Sequence, residues 1–173
     1  RFAREFDAKL DVLVVNPATP YKTVQEVVAA AKAKPGALAY ASAGNGNTMH
    51  LAGEQFRAQA GIDLLHIPYK GGPPAMNDVL GGQVPMMFNN LPAILPMVKS
   101  GKLRALAVAT PQRSRLLPDV PTMEEAGFKG YVSTVWNGVY VRAGTPRAAV
   151  ERLNREIVAA LGSAELRGTL EAQ

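Results

Sequence analysis

No cysteine occurs in the 173 residues, and that absence removes disulfides, thiolate metal ligands, iron–sulfur clusters and a cysteine nucleophile together. It leaves the compartment open, since a chain without thiols suits an oxidising space as well as a reducing one. Aromatic residues are scarce at 6%, while Ala, Gly and Val are plentiful, a balance that favours helices packed closely on a sheet over a sandwich of large rings. No apolar run approaches the roughly 18–20 residues of a membrane-spanning helix. The two histidines are His50 and His66, and no His/Asp/Glu cluster has metal-ligand spacing, so neither a metal nor a cofactor is expected. The segment 1–9 (RFAREFDAK) is charged and lacks the apolar core of a secretory signal. The chain opens without Met, almost directly on a strand-like run, as if cut from something longer.

What is present is a chain able to bury a core. Apolar residues make up 47% and charged residues 19%, which excludes a wholly disordered chain, and the length suits one domain or one domain and part of another. Nineteen Lys and Arg against fourteen Asp and Glu give a net charge of +5. These cations are dispersed along the chain (Lys22, Lys32, Lys34, Arg57, Lys70, Lys99, Lys102, Arg104), with Arg113 and Arg115 close together in a loop, and no aromatic platform is interleaved with them. The pattern reads as a solvated basic surface, and no nucleic-acid partner is expected.

Apolar runs alternate with helical periodicity at short intervals, the signature of βα units around a largely parallel sheet. Strands are predicted at 11–16, 38–42, 64–68, 84–88 and 103–109. The first helix opens on a capping box, Thr23-x-x-Glu26, carries the stripe Val24, Val27, Val28 and Ala31, and is stopped by Pro35-Gly36. The second runs from Thr48 to about Gln59 with Leu51, Ala52, Gln55 and Phe56 on one side; a third ends at Gly81-Gly82, and a fourth covers 92–99. Beyond Thr110 the periodicity stops. A second capping box, Thr122-x-x-Glu125, predicts a short helix before Gly127, followed by an extended stretch, 131–141. Thr145-Pro146, as N-cap and first residue, then opens a helix with the stripe Val150, Leu153, Ile157, Val158 and Leu161 and the pairs Glu151–Arg155 and Arg152–Glu156.

The sharpest candidate for chemistry is the run from Ser42 through Ala43, Gly44, Asn45, Gly46 and Asn47 to Thr48, a strand end, a small-residue loop and a helix start. Glycines let a ligand approach the main chain, and the unpaired N–H groups of a first helical turn donate in a weakly positive field, which suits a carboxylate. A tight βα turn with Asn47 as N-cap accounts for the same residues. The dinucleotide fingerprint fails, because Met49 stands where the third glycine belongs, and no P-loop lysine follows. Ligands of open α/β sheets bind outside the carboxyl ends of the strands, which adds Tyr69, Lys70 and Asn89. Asn89 is read either as an amide donor to an oxyanion or as an Asx turn, and Lys70 either as a source of charge or as a solvated side chain. A Ser42/His50/Asp63 triad lacks the G-x-S-x-G elbow. His50 reads as a local packing or hydrogen-bonding residue and His66 as a structural one, so catalytic residues are not expected, with a small hydrolase or transferase using Ser42 and His50, or a non-specific basic nucleic-acid binder, as the alternatives.

Seven blocks in chain order carry a resemblance: YASAGNGNTMHLA (40–52), HIPYKG (66–71), GGQV (81–84), MFNNLP (87–92), GKLRALAV (101–108), LPDVPT (117–122) and AGTP (143–146). Together they resemble the extracytoplasmic solute receptors of tripartite tricarboxylate transporters, the Bug or TctC type. The resemblance implies an α/β, type II periplasmic-binding-protein-like lobe, a mostly parallel sheet flanked by helices. In that frame 1–10 is the tail of a preceding lobe, 11–130 the ligand-binding lobe, and 131–173 the return into the other lobe. The first lobe would precede Arg1, and it or another chain would pack on 131–173. The resemblance further implies a periplasmic protein whose signal peptide is not in this fragment. It would bind a small organic carboxylate for membrane permease subunits, with Ser42–Thr48 as the carboxylate loop. Asn89 stands where many members have Asp, which shifts the expected ligand from an amino acid toward a plain di- or tricarboxylate.

Overall fold

The computed structural model describes residues 9–135, 139–164 and 166. Most of the predicted tail 1–10, residues 136–138 of the predicted extended stretch, and 165 and 167–173 of the return segment lie outside the described residues. The chain divides into two compact units, Arg1–Trp136 and Asn137–Gln173.

In the first unit, strands β1 (Lys9–Val15), β2 (Ala39–Ser42), β3 (Leu65–Pro68), β4 (Met86–Asn90) and β5 (Arg104–Val108) alternate with helices α1 (Val24–Ala33), α2 (Thr48–Ala60), α3 (Gly72–Leu80) and α4 (Leu91–Lys99). They form one sheet in the order β3-β2-β4-β1-β5. β2 pairs in parallel with β3 and β4, while β1 runs antiparallel to both β4 and β5. Four of the five strands therefore point one way, and β1, the fourth in the order, is reversed. β1 reads DVLVV without alternation because both its faces are covered: Leu13 and Val15 meet α1 and α2, and Val12 and Val14 meet α3 and α4. A two-residue strand β6 (Thr134–Val135) pairs with the start of β1. Tyr131, just before it, is buried in the core, and its hydroxyl donates to the Ala52 carbonyl at 2.6 Å.

Local chemistry sets most boundaries. Thr23 Oγ1 accepts from Glu26 N (3.2 Å) while the Glu26 carboxylate accepts from Thr23 N (3.1 Å), so the first capping box is closed. Thr23→Ala is expected to cost about 1 kcal/mol, read as a lower urea midpoint at unchanged slope. The prolines of Gly72-Pro73-Pro74 lie in the first turn of α3 itself, where their missing N–H groups cost nothing.

Several sequence expectations shift. β4 begins at Met86 rather than Val84 and carries Asn89 and Asn90 inside the strand end. α2 buries Met49, Ala52, Gly53 and Phe56, and Leu51 is 57% exposed, because the helix rolls Gly53 against the Tyr40 ring. The second capping box closes, with Glu125 N on Thr122 Oγ1 (3.0 Å) and Thr122 N on the Glu125 carboxylate (2.7 Å), but it holds turns rather than a helix.

In the second unit, α5 spans Arg147–Gly162, one residue later than predicted. The Thr145 hydroxyl donates back to Arg142 O (2.7 Å) instead of capping forward, and Pro146 stays extended at ψ 134°. Glu151 pairs back to Arg147 (2.8 Å) rather than forward to Arg155. No residue of α5 is buried; Leu153 and Val158 of the predicted stripe are exposed.

Candidate anion-binding site at the carboxyl edge of the sheet

β2, β3 and β4 all end at one edge of the sheet, and their loops are sewn together there. Tyr69 N donates to Ser42 O at 2.9 Å and Gly71 N to Ala43 O at 3.2 Å, which draws the β3–α3 turn under the Ser42–Thr48 loop. At Gly44, φ is +130° and a Cβ would stand 3.3 Å from the Tyr69 carbonyl, so the loop needs glycine at that point.

Within the loop, donors divide into spent and unspent. Gly44 N donates to Ser42 Oγ (3.1 Å), Gly46 N to His50 Nδ1 (3.0 Å), and His50 N to the capping Asn47 Oδ1 (3.0 Å). The first intrahelical bond is Leu51 N to Asn47 O, 3.0 Å. The N–H groups of Asn45, Asn47, Thr48 and Met49, and the Thr48 hydroxyl, have no partner among the described residues. Asn47 is the predicted N-cap; Asn45 and Gly46 are exposed, and Ala43, Gly44, Asn47 and Thr48 half-buried. At the positive end of a 13-residue helix, these are donors for an anion.

Beneath the loop lies a layer that the sequence did not reveal. Ser42 is fully buried, and its Oγ lies 2.6 Å from His66 Nε2 and 3.0 Å from Gly44 O. The His66 ring is stacked between Tyr40 (centroids 4.9 Å) and His50 (4.0 Å). Burial, and after it the neighbouring His50, pushes the His66 imidazole below its ordinary pKa, which favours the neutral ring in this stack. The signal was available in the strand pairing: Tyr40↔His66 in a parallel register places His66 on the face that Tyr40 and Ser42 share. The Ser42/His50/Asp63 triad is not assembled. Ser42 faces His66, His50 holds Gly46, and Asp63 lies 3.5 Å from Arg57 on the surface.

Two further candidates are engaged elsewhere. Asn89 is only 2% exposed; its Oδ1 accepts from the adjacent Asn90 N (2.8 Å) and its Nδ2 donates toward Met87 Sδ (3.8 Å), so the amide is engaged within the end of β4. The Tyr69 hydroxyl donates to Asp78 Oδ2 at 2.6 Å, and that bond, followed by burial and the Asp78 charge, pushes its pKa up to about 12. Tyr69 thereby braces the β3–α3 turn against α3. Among the described residues no group of His, Asp and Glu is arranged to hold a metal, and no helix is long and apolar enough to cross a membrane.

A mixed α/β sheet flanked by helices, four strands one way and one reversed, is the architecture this chain shares with periplasmic binding proteins. Residues 6–172 match the tripartite tricarboxylate transporter family receptor, and the chain belongs to that family of solute receptors. Three solved structures show the same fold. Rpa4515 of R. palustris, solved with adipate, is 35% identical with a TM-score of 0.84, over 90% of this chain and 52% of that one. The periplasmic binding protein BugD is 34% identical with a TM-score of 0.85, over 94% and 56%. MatC of Rhodopseudomonas palustris, with bound malate, is 28% identical with a TM-score of 0.87, over 94% and 55%. The chain spans about half the length of the first curated relatives it matches.

Proposed function

We propose that this chain is the ligand-facing lobe of a periplasmic receptor that captures a small organic dicarboxylate without chemical turnover and delivers it to membrane permease subunits. The observation that carries the reading is the division of donors at the α2 tip: Gly44, Gly46 and His50 spend their N–H groups on shaping the loop, and Asn45, Asn47, Thr48 and Met49 keep theirs. A carboxylate has the charge sign and the acceptor geometry for such a cluster. Ser42 is assigned to the support of this cluster through Gly44, and Asn89 and Tyr69 to the support of the neighbouring turns. The adipate in Rpa4515 and the malate in MatC favour a dicarboxylate over a neutral solute. The segment 131–173 is assigned to the return toward a second lobe, which would close on the other carboxylate.

Isothermal titration of the chain with adipate, malate and the neutral diamide adipamide tests this. Both acids should bind one to one and the diamide should not. Thr48→Ala should weaken the acids about tenfold through the loss of a charge-assisted bond. Equal binding of adipamide, or release of a transformed product, would overturn the reading.

A further inference from the structure

Under the loop, two imidazoles lie face to face. The His50 and His66 rings are stacked with centroids 4.0 Å apart and planes 15° from parallel. Each ring is fastened to the loop by one nitrogen: His66 Nε2 lies 2.6 Å from Ser42 Oγ, and His50 Nδ1 accepts from Gly46 N at 3.0 Å.

Hydrogen bonding fixes which nitrogen carries the proton. Ser42 Oγ accepts from Gly44 N (3.1 Å) and has a single proton, for which Gly44 O (3.0 Å) and His66 Nε2 compete. All three partners are satisfied at once when His66 donates from Nε2 and Ser42 donates to Gly44 O. That arrangement is the same whether the His66 ring is neutral or charged. His50 differs, because an Nδ1 that accepts from an amide is unprotonated, so its bond to Gly46 belongs to the neutral ring alone. An imidazolium carries N–H at both nitrogens, and its Nδ1–H would oppose the Gly46 N–H. Protonation of His50 therefore frees Gly46 N, and frees it between Asn45 and Asn47, whose own N–H groups have no partner among the described residues.

We propose that carboxylate capture at the Ser42–Thr48 loop takes up a proton at His50, the charged ring releasing Gly46 N–H to the ligand and setting a cation beside it. This rests on the carboxylate reading of the loop and adds its proton dependence. The proton comes from the solvent and returns to it when the ligand leaves.

The stack leaves the charge to His50. Burial, and after it the neighbouring His50, hold the His66 imidazole below its ordinary pKa, so of the two rings His66 is the one kept neutral. From β2, Tyr40 covers the other face of His66 (4.9 Å), and burial followed by its bond to Glu54 raises its hydroxyl far above the neutral range. Glu54, one turn along α2 from His50, is tied to Tyr40 at 2.8 Å and to Arg57 at 2.9 Å, and the β3–α3 turn carries the exposed Lys70. Histidine is the side chain that ordinarily changes charge between about pH 5 and 8.

The sign follows from linkage. A bound anion favours the charged ring, so the complex holds the His50 proton more tightly than the free chain does, and by reciprocity affinity rises as pH falls through the titration of the ring. An opposite charge close by shifts such a group by about one unit or more, which corresponds to about tenfold in affinity and an uptake of about half a proton midway.

The test is isothermal titration of the chain with malate at pH 6, 7 and 8, each in two buffers of different ionisation enthalpy, which reads affinity and proton uptake together. Binding about tenfold tighter at pH 6 than at pH 8, with net proton uptake, is expected. His50→Asn offers Gly46 an amide oxygen as acceptor without a titrating ring, and should flatten both responses. In the free parent chain, the Gly46 amide resonance should follow the His50 ring through its titration, a readout that stands even if His50→Asn fails to fold. One-to-one binding with affinity independent of pH and heat independent of buffer would overturn the coupling while leaving the carboxylate reading intact. So would an unchanged pH dependence in His50→Asn, or a Gly46 amide that ignores the ring. Absence of malate binding at every pH would overturn the carboxylate reading, and the coupling with it.

Discussion

Alanine at Gly53 is expected to destabilise the protein, although glycine in the middle of a helix ordinarily gains about 0.5–1 kcal/mol from that exchange. A Cβ at Gly53 would lie 2.2 Å from Tyr40 Cε2 and 2.5 Å from its Cζ, distances no packed carbon atoms tolerate. The ring cannot swing aside cheaply. Tyr40 is fully buried, its hydroxyl is held by Glu54 Oε1 at 2.8 Å, and its face is stacked on His66. Overpacking of a rigid core costs about 1–3 kcal/mol and sometimes more, so a net loss of about 2 kcal/mol or more should appear as a lower midpoint of urea unfolding. The double variant Gly53→Ala with Tyr40→Leu should recover part of that loss, because the clash and its partner then disappear together. Stability equal to or above that of the parent in Gly53→Ala alone would contradict this packing. The consequence extends to the site: a displaced Tyr40 pushes His66, and His66 bears on the hydroxyl of Ser42 that shapes the loop.

That chain of contacts marks where the sequence could be read and where it could not. The order of strands and helices was legible because each break carries its own chemistry: the Thr23–Glu26 box, the Asn47 cap, the prolines opening α3, the glycines after α2 and α3. The Ser42–Thr48 loop stood out for the same reason, being a local pattern of small residues before a helix. Strand direction is not local. Nothing in DVLVV shows that β1 runs against its neighbours, since an apolar run buried on both faces looks alike in either sense. Asn89 was read either as an oxyanion donor or as an Asx turn because the predicted strand stopped at Phe88; β4 in fact pairs from Met86 to Asn90, which makes Asn89 a buried strand residue. His66 was read as structural, but its support of the loop was not legible because it depends on the cross-strand pairing with Tyr40. Leu51 was assigned to the buried face of α2 on periodicity alone, but the position of Gly53 against Tyr40 decides the roll of that helix.

Phe56→Ala should be the most damaging single truncation on α2, with a loss of about 3–5 kcal/mol. The side chain is fully buried, and its ring meets Phe88 of β4 edge-on at 6.0 Å and Phe128 at 5.2 Å. It therefore joins three separate pieces of chain: the helix, the sheet, and the turn region after Thr122. Removing it leaves a void bounded on the sheet side by Phe88, whose ring is further held by Tyr131 at 6.1 Å and cannot collapse inward without disturbing that stack. Phe128 is only partly buried, so Phe128→Ala exposes the same junction to solvent rather than emptying it, and its cost should be clearly smaller. Denaturation of the two variants side by side checks the order, and a Phe128→Ala loss equal to or above that of Phe56→Ala would contradict the packing. Amide exchange then separates structure from site. In Phe56→Ala the loosened amides should be those of 122–131, such as Phe128 N on Met123 O, whereas His50 N on Asn47 Oδ1 stays protected. The α2 tip is shaped by bonds within 42–51 and by the His66 stack, none of which passes through the Phe56 ring, so the Ser42–Thr48 loop should outlast the loss of the core beneath its own helix.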